Sequence, residues 1–117
     1  MQKIYYLSTC STCTRIMNEL QVLKKGFTLQ DIKTEKITAA QLDELKKMSG
    51  SYEALFSRKA LKYRSMGLDE RQLSEKDYRQ YILDEYTFLK RPVIVLGNRV
   101  FIGNSKNTVA AVKETLK

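Results

Sequence analysis

The chain has 117 residues, 43% of them hydrophobic, which suffices for one domain with an apolar core and leaves no apolar stretch long enough to cross a bilayer. A total of 21 Lys and Arg against 13 Asp and Glu gives a net charge of +8, so the surface favours anionic ligands or partners without specifying which. Acidic residues are interleaved with the basic ones and no zinc-finger, helix-turn-helix or RNP signature accompanies them, so direct nucleic-acid binding is not expected.

The first third of the chain predicts a β-α-β unit. Residues 3–7 are apolar enough for a central strand, and apolar positions at helical spacing predict a helix from Thr12 to about Lys25, with Gly26 as its stop. Residues 27–32 alternate with a period of two and predict a second strand. Because a strand–helix–strand crossover joins strands that run in the same direction, we expect the two strands to be parallel.

The middle of the chain, residues 38–86, carries helical patterns and no strand pattern. Thr38 with Gln41 three residues later is a capping-box pattern that predicts the start of a helix. A second, less regular helical stretch is expected over residues 52–67, and Ser74 is expected to cap a third helix. The segment therefore predicts a helical insertion.

The last quarter of the chain predicts a β-β-α unit that begins after Pro92, the only proline. Residues 93–96 and 99–102 are β-branched runs joined by a Gly-Asn pair, which is typical of a β-hairpin, and Ser105 caps a final helix. The full element order predicts an α/β, thioredoxin-like fold with a four-stranded mixed sheet. Residues 1–117 would form a single domain, with the helical insertion between its β-α-β and β-β-α halves.

The only two cysteines, Cys10 and Cys13, lie where the first strand passes into the first helix. At the helix N-terminus, unpaired N–H groups and the helix dipole favour the thiolate of Cys10, and Cys13 lies one turn further on the same face. This arrangement predicts a redox-active dithiol. Two alternatives are a zinc half-site that a symmetric dimer would complete, because the chain has no histidine, and two semi-buried thiols without a redox role.

The N-terminal sequence lacks the organisation of a signal peptide, so a cytoplasmic protein is expected. In that reducing compartment a CxxC pair is more often catalytic, regulatory or metal-binding than a structural disulfide. The densest basic run, residues 58–64, predicts a solvated helix face, with an anion or acidic-partner site as the alternative.

Four features together extend over almost the full length of the chain. They are the strand followed by Cys10, the helical insertion, the Arg91-Pro92 pair before the hairpin, and the final helix opened by Ser105. In these features the chain resembles the arsenate reductase (ArsC) family of glutaredoxin-coupled type and its relatives, the Spx transcriptional regulators. The resemblance implies that Cys10 is the nucleophile that attacks arsenate. Cys13 replaces the serine typical of the enzymes and gives the CxxC typical of Spx-like members.

The resemblance also implies an oxyanion site, from which this sequence departs in part. Arg91 matches the arginine of the family's Arg-Pro pair, whose proline is cis, and Arg58 lies at or next to a second arginine. A third arginine is absent after the hairpin, and Tyr6 stands where the enzymes often carry a histidine. The implied site has Cys10 and Cys13 as catalytic residues, no metal, and as substrate-binding residues Ser11, Thr12, Arg15, Arg58, Arg91 and Pro92.

The function expected on these grounds is that of a cytosolic thiol-dependent oxidoreductase, which reduces an oxyanion such as arsenate or exchanges disulfides. Cys13 would be the resolving thiol. No cofactor would be bound, and glutathione with glutaredoxin, or thioredoxin, would donate electrons. The alternative is an Spx-like regulator, switched by oxidation of the CxxC pair, that binds the C-terminal domain of the RNA polymerase α subunit near Gly50.

Overall fold

The computed structural model of the protein describes residues 2–116 and confirms the predicted sheet. Its four strands lie in the order β2-β1-β3-β4, with β1 parallel to β2 and antiparallel to β3, and with β3 antiparallel to β4. The strands are β1 (Gln2–Tyr6), β2 (Thr28–Asp31), β3 (Val93–Leu96) and β4 (Arg99–Ile102).

Five α-helices are present in the part of the chain that the structure describes, and short 3₁₀ turns join several of them. The capping box predicted at Thr38 is formed, and Ser74 caps a helix as predicted, through a capping box with Asp77. The Ser105 hydroxyl accepts the N–H of Thr108 at 3.1 Å. The helices are α1 (Ser11–Leu20), α2 (Ala39–Ser49), α3 (Leu61–Ser65), α4 (Glu75–Asp84) and α5 (Lys106–Leu116).

The prediction that the first helix continues to about Lys25 is wrong. Helix α1 ends at Leu20 because Gln21 adopts a left-handed conformation with φ of 55°, and a 3₁₀ turn follows over Val22–Lys25. The turn buries Val22, which is 2% exposed, and leaves Leu23 79% exposed. A continuous helix would have placed Leu23 instead of Val22 on the buried face, so tertiary burial determines where the helix ends.

The second helical stretch, expected over residues 52–67, is interrupted. Residues 55–57 pair with residues 88–90: the N–H of Ser57 donates to the Phe88 carbonyl at 2.7 Å, and the N–H of Lys90 donates to the Leu55 carbonyl at 2.8 Å. These backbone groups therefore form the hydrogen bonds of an antiparallel bridge instead of those of a helix. Helix α3, which follows, has only 5 residues.

The chain forms two compact units, one that runs to Glu35 and resumes at Arg91, and one of residues Lys36–Lys90. In the first unit, side chains from the sheet, α1 and α5 form a buried core. Burial of each large aliphatic side chain such as Ile4 stabilises the fold by about 1.5–3 kcal/mol. In the second unit, the Phe56 ring lies 4.9 Å from that of Tyr78 and 5.0 Å from that of Phe88, measured between centroids.

Candidate functional site

Cys10 lies at the start of α1, immediately after the connection from β1. Its N–H donates to the Leu7 carbonyl at 3.0 Å, which closes a tight turn, and its own backbone is extended, with φ of −96° and ψ of 109°. The helix begins at the next residue, Ser11. Cys10 is therefore the N-cap residue and is partly accessible to solvent.

The first turn of α1 favours the ionised form of Cys10. Burial alone would raise its pKa, but the backbone N–H of Cys13, the Cys13 side chain, the positive charge of Arg91 and the backbone N–H of Thr12 together hold the pKa of the Cys10 thiol below its ordinary value. A thiolate is the nucleophilic form of cysteine. Cys10 is thus the more nucleophilic of the two thiols near neutral pH.

Cys13 has the opposite character. Its side chain is 0% exposed, and burial, reinforced by hydrogen bonding to Cys10 and by the charge of Cys10, raises its pKa to about 11. No disulfide joins Cys10 and Cys13 in the structure. The pair therefore consists of an accessible sulfur that ionises readily and a buried thiol that stays protonated and bonds to it.

Two of the other expected site residues in the first unit lie close enough to act on this pair. The N–H of Thr12 lowers the pKa of the Cys10 thiol. The positive charge of Arg91 also lowers the pKa of Cys10, and at Cys13 it opposes the rise in pKa that burial causes. The Arg91–Pro92 peptide bond is cis, as the resemblance implied, and the Pro92 carbonyl accepts the N–H of Gly103 at 3.0 Å.

Ser11 and Arg15 lie on α1 and are exposed. The Arg15 side chain is 67% exposed and its Nη1 lies 4.0 Å from Oε2 of Glu19, one turn further along the helix. This position, beyond the first turn, separates Arg15 from the N–H groups that act on Cys10. Its role in substrate binding stays a prediction.

Arg58 belongs to the second unit and is held there by other side chains. Its Nη2 donates to Oε2 of Glu53 at 2.6 Å and to the Tyr78 hydroxyl at 3.0 Å, and its guanidinium lies 5.7 Å from the centroid of the Tyr78 ring. The Glu53 carboxylate raises the pKa of Arg58 above its ordinary value. Binding an oxyanion through Arg58 would require the anion to compete with this carboxylate, and that role stays a prediction.

Sequence reasoning missed one residue next to the Cys10 turn, Asp31. The residue ends β2 directly beside Tyr6, the last residue of β1, and its Oδ1 accepts the N–H of Ser8 at 3.3 Å and that of Lys33 at 3.2 Å. The available signal was an acidic residue at the end of the second of two parallel strands, whose C-terminal ends meet at one edge of the sheet.

Within residues 2–116, no three side chains of His, Cys, Asp or Glu come together as candidate metal ligands. None of the helices formed by these residues combines the length and apolar character needed to cross a membrane.

The different states of the two thiols predict an order of alkylation. Because iodoacetamide reacts with thiolates, it should label Cys10 of the reduced protein first, with a pH midpoint below that of an ordinary cysteine. Cys13 should remain unlabelled until the pH approaches about 11 or the protein unfolds. Peptide mapping by mass spectrometry across a pH series measures both rates. Equal rates near neutral pH would contradict the assignment of Cys10 as the nucleophile.

Comparison with known proteins gives a consistent assignment. Residues 5–112 match the ArsC family, and no curated protein matches the chain significantly. An arsenate reductase from Vibrio cholerae is similar at 16% identity and a TM-score of 0.78, over 96% of this chain and 95% of that chain. An arsenate reductase (ArsC) related protein from Brucella melitensis is similar at 24% identity and a TM-score of 0.73, over 97% of this chain and 94% of that chain. A possible arsenate reductase from Streptococcus mutans UA159 is similar at 24% identity and a TM-score of 0.76, over 97% of this chain and 98% of that chain. The α/β, thioredoxin-like fold is thereby confirmed.

Proposed function

The chain belongs to the ArsC family, and from that premise we propose that it is a thiol-dependent oxidoreductase that reduces an oxyanion such as arsenate. The observation that carries the proposal is the placement of Cys10 at the N-terminus of α1, where the surrounding groups lower its pKa. The proposed compartment is the cytoplasm.

The reaction begins with the Cys10 sulfur. The thiolate attacks arsenic and forms an S–As bond, while an arsenate hydroxyl takes up a proton from solvent, its As–O bond breaks and it leaves as water. A second thiolate then attacks the Cys10 sulfur, the S–As bond breaks, and its electron pair remains on arsenic, which leaves as arsenite. Arsenic gains two electrons, and two thiols become one disulfide.

We assign the second thiol to Cys13, which lies one turn further along α1 and whose side chain acts on the pKa of the Cys10 thiol. Its proton must leave before it attacks, because its pKa is about 11. Burial keeps Cys13 away from external reagents, so Cys13 attacks the Cys10 sulfur after a partner has become attached to that sulfur, and the partner leaves. The resulting Cys10–Cys13 disulfide would be reduced by glutathione with glutaredoxin or by thioredoxin.

Binding an oxyanion next to a thiolate requires positive charge and N–H donors, because the two anions repel each other. Arg91 and the N-terminal N–H groups of α1 supply both in the first unit. The N-terminal N–H groups of α1 include those of Ser11 and Thr12. Pro92 fixes the chain next to Arg91. The same thiol pair would also exchange disulfides, a reaction that does not require an oxyanion site.

A second candidate function, an Spx-like regulator, is favoured by one observation: the buried residue of the pair is a cysteine, which allows an oxidation switch inside the chain. The proposed partner is the C-terminal domain of the RNA polymerase α subunit. The expected contact is Gly50, which ends α2 with φ of 94° and is exposed.

A coupled assay tests the proposed function. The reduced protein is incubated with arsenate and with either glutathione, glutaredoxin and glutathione reductase or thioredoxin and its reductase, and both NADPH oxidation and arsenite formation are measured. We expect arsenite to form in proportion to the NADPH oxidised with at least one donor system. Reduction of a glutathione mixed disulfide without arsenite would restrict the activity to disulfide exchange. A pull-down with the C-terminal domain of the RNA polymerase α subunit tests the second candidate function. If both reactions fail and the protein captures this domain, the proposed enzyme function is contradicted and the regulator is supported.

A further inference from the structure

We propose that Asp31 is a positioning residue for Cys10: its carboxylate holds the connection between β1 and α1 in the conformation that places the Cys10 sulfur at the helix N-terminus. The inference rests on the proposed role of Cys10 as the reacting thiol and assigns Asp31 a role that acts through Cys10.

The Asp31 carboxylate joins two segments of backbone. Its Oδ1 accepts the N–H of Ser8 at 3.3 Å, on the connection that leads to Cys10, and the N–H of Lys33 at 3.2 Å, on the chain that leaves β2. The Ser8 hydroxyl also helps to lower the pKa of the Asp31 carboxyl. Asp31 therefore links the end of β2 to the turn that precedes the nucleophile.

The sheet holds Asp31 in place for this task. Tyr6 and Asp31 are paired in the parallel register of β1 and β2, and the N–H of Ile32 donates to the Tyr6 carbonyl at 2.9 Å. Between Tyr6 and Cys10 the chain leaves the sheet, and Ser8 is exposed. The turn is thus held from both sides, by the hydrogen bond from the Cys10 N–H to the Leu7 carbonyl and by the hydrogen bond from the Ser8 N–H to Asp31.

The position of this turn matters because the thiolate is stabilised by short-range contacts. The N–H groups of Thr12 and Cys13 stabilise the Cys10 sulfur only while it lies over the first turn of α1. A looser connection at Ser8 would let Cys10 sample conformations away from these donors. The fraction of nucleophilic thiolate would then fall without any change in the donors themselves.

A positioning role and a charge role predict effects of opposite sign. Asp31 is ionised near neutral pH: although partial burial opposes ionisation, hydrogen bonds from the Ser8 hydroxyl and from the N–H groups of Lys33 and Ser8 lower the pKa of the carboxyl. A negative charge near a thiolate disfavours the thiolate, so removal of charge alone would make Cys10 more reactive. Removal of the hydrogen-bond acceptor would make Cys10 less reactive.

Three variants separate these roles. Asp31→Ala removes the acceptor and the charge, Asp31→Asn keeps an acceptor oxygen without the charge, and Asp31→Glu keeps the charge but moves the acceptor by one methylene. Asp69→Ala is the matched control, because it removes an exposed carboxylate from the second unit. The readout is the iodoacetamide rate of Cys10 in the full chain across pH, with circular dichroism and thermal unfolding as checks of folding.

We expect Asp31→Ala and Asp31→Glu to slow alkylation of Cys10 at pH 7 by about threefold or more and to move its pH midpoint upward, because less thiolate is present. Asp31→Asn and the control Asp69→Ala should stay within about twofold of the unchanged protein. If Asp31→Ala fails to fold, Asp31→Glu and Asp31→Asn decide the question.

Unchanged rates in both Asp31→Ala and Asp31→Glu would overturn the proposal, and so would faster alkylation in both Asp31→Ala and Asp31→Asn, which would indicate a charge effect. Alkylation needs neither arsenate nor an electron donor. A protein that does not reduce arsenate but shows the expected Asp31 pattern would contradict the proposed function and leave the positioning role supported.

Discussion

Replacing Cys10 with serine should abolish both arsenate reduction and disulfide exchange. A serine hydroxyl does not ionise near neutral pH, so the first turn of α1 would have no thiolate to stabilise and no S–As bond would form. We expect a loss of turnover on the order of 10³-fold or more, as for removal of other catalytic nucleophiles. The coupled assay measures the loss, and thermal unfolding checks that the fold is retained.

Replacing Cys13 with serine should have a different effect. The hydroxyl that Cys13→Ser introduces still fits a small buried position and still donates a hydrogen bond, so Cys10 should remain reactive toward iodoacetamide. The mixed disulfide that Cys10 forms with glutathione should then accumulate, because no internal thiol attacks it. Intact-mass spectrometry after addition of oxidised glutathione detects this species.

Comparison of the two variants tests the order of the thiol steps. Unchanged turnover in Cys13→Ser would show that an external thiol resolves the Cys10 adduct, so Cys13 would not be the resolving residue. Strong residual turnover in Cys10→Ser would contradict Cys10 as the nucleophile and with it the proposed mechanism.

Local signals in the sequence account for much of the fold. Thr38 and Ser74 begin helices through side-chain bonds to residues only three positions away, so the sequence predicts both boundaries correctly. The end of α1 is different, because Gln21 turns the chain so that Val22 enters the core, and that preference depends on residues distant in the sequence. The bridge between Phe56 and Leu89 is equally non-local.

The same distinction applies to the candidate site. The spacing of Cys10 and Cys13 after a strand is sufficient to predict a thiol pair at a helix N-terminus. Their different pKa values depend on burial of Cys13, and this burial becomes visible only when the core is formed. Asp31 reaches Ser8 across 23 residues of sequence, so neither spacing nor composition identifies the contact.

The second large effect is expected at Arg91. Replacing Arg91 with alanine should raise the pKa of the Cys10 thiol, because the arginine charge is one of the influences that lower it. Alkylation of Cys10 at neutral pH should slow, and sulfate should protect Cys10 from alkylation about tenfold more weakly, which corresponds to the loss of a charge-assisted hydrogen bond worth about 1.4 kcal/mol.

Arg91→Lys and Arg64→Ala serve as the matched variants for this prediction. Lysine keeps the charge, so the reactivity of Cys10 should recover, whereas sulfate protection should recover only in part because lysine lacks the planar fork that binds two oxygens. Arg64→Ala removes an exposed arginine from α3 and should change neither quantity. If Arg91→Ala alters neither the pH midpoint of alkylation nor the protection by sulfate, Arg91 does not belong to an oxyanion site. Disulfide exchange or regulation would then be favoured over arsenate reduction, because neither function requires the chain to hold an oxyanion next to the thiolate.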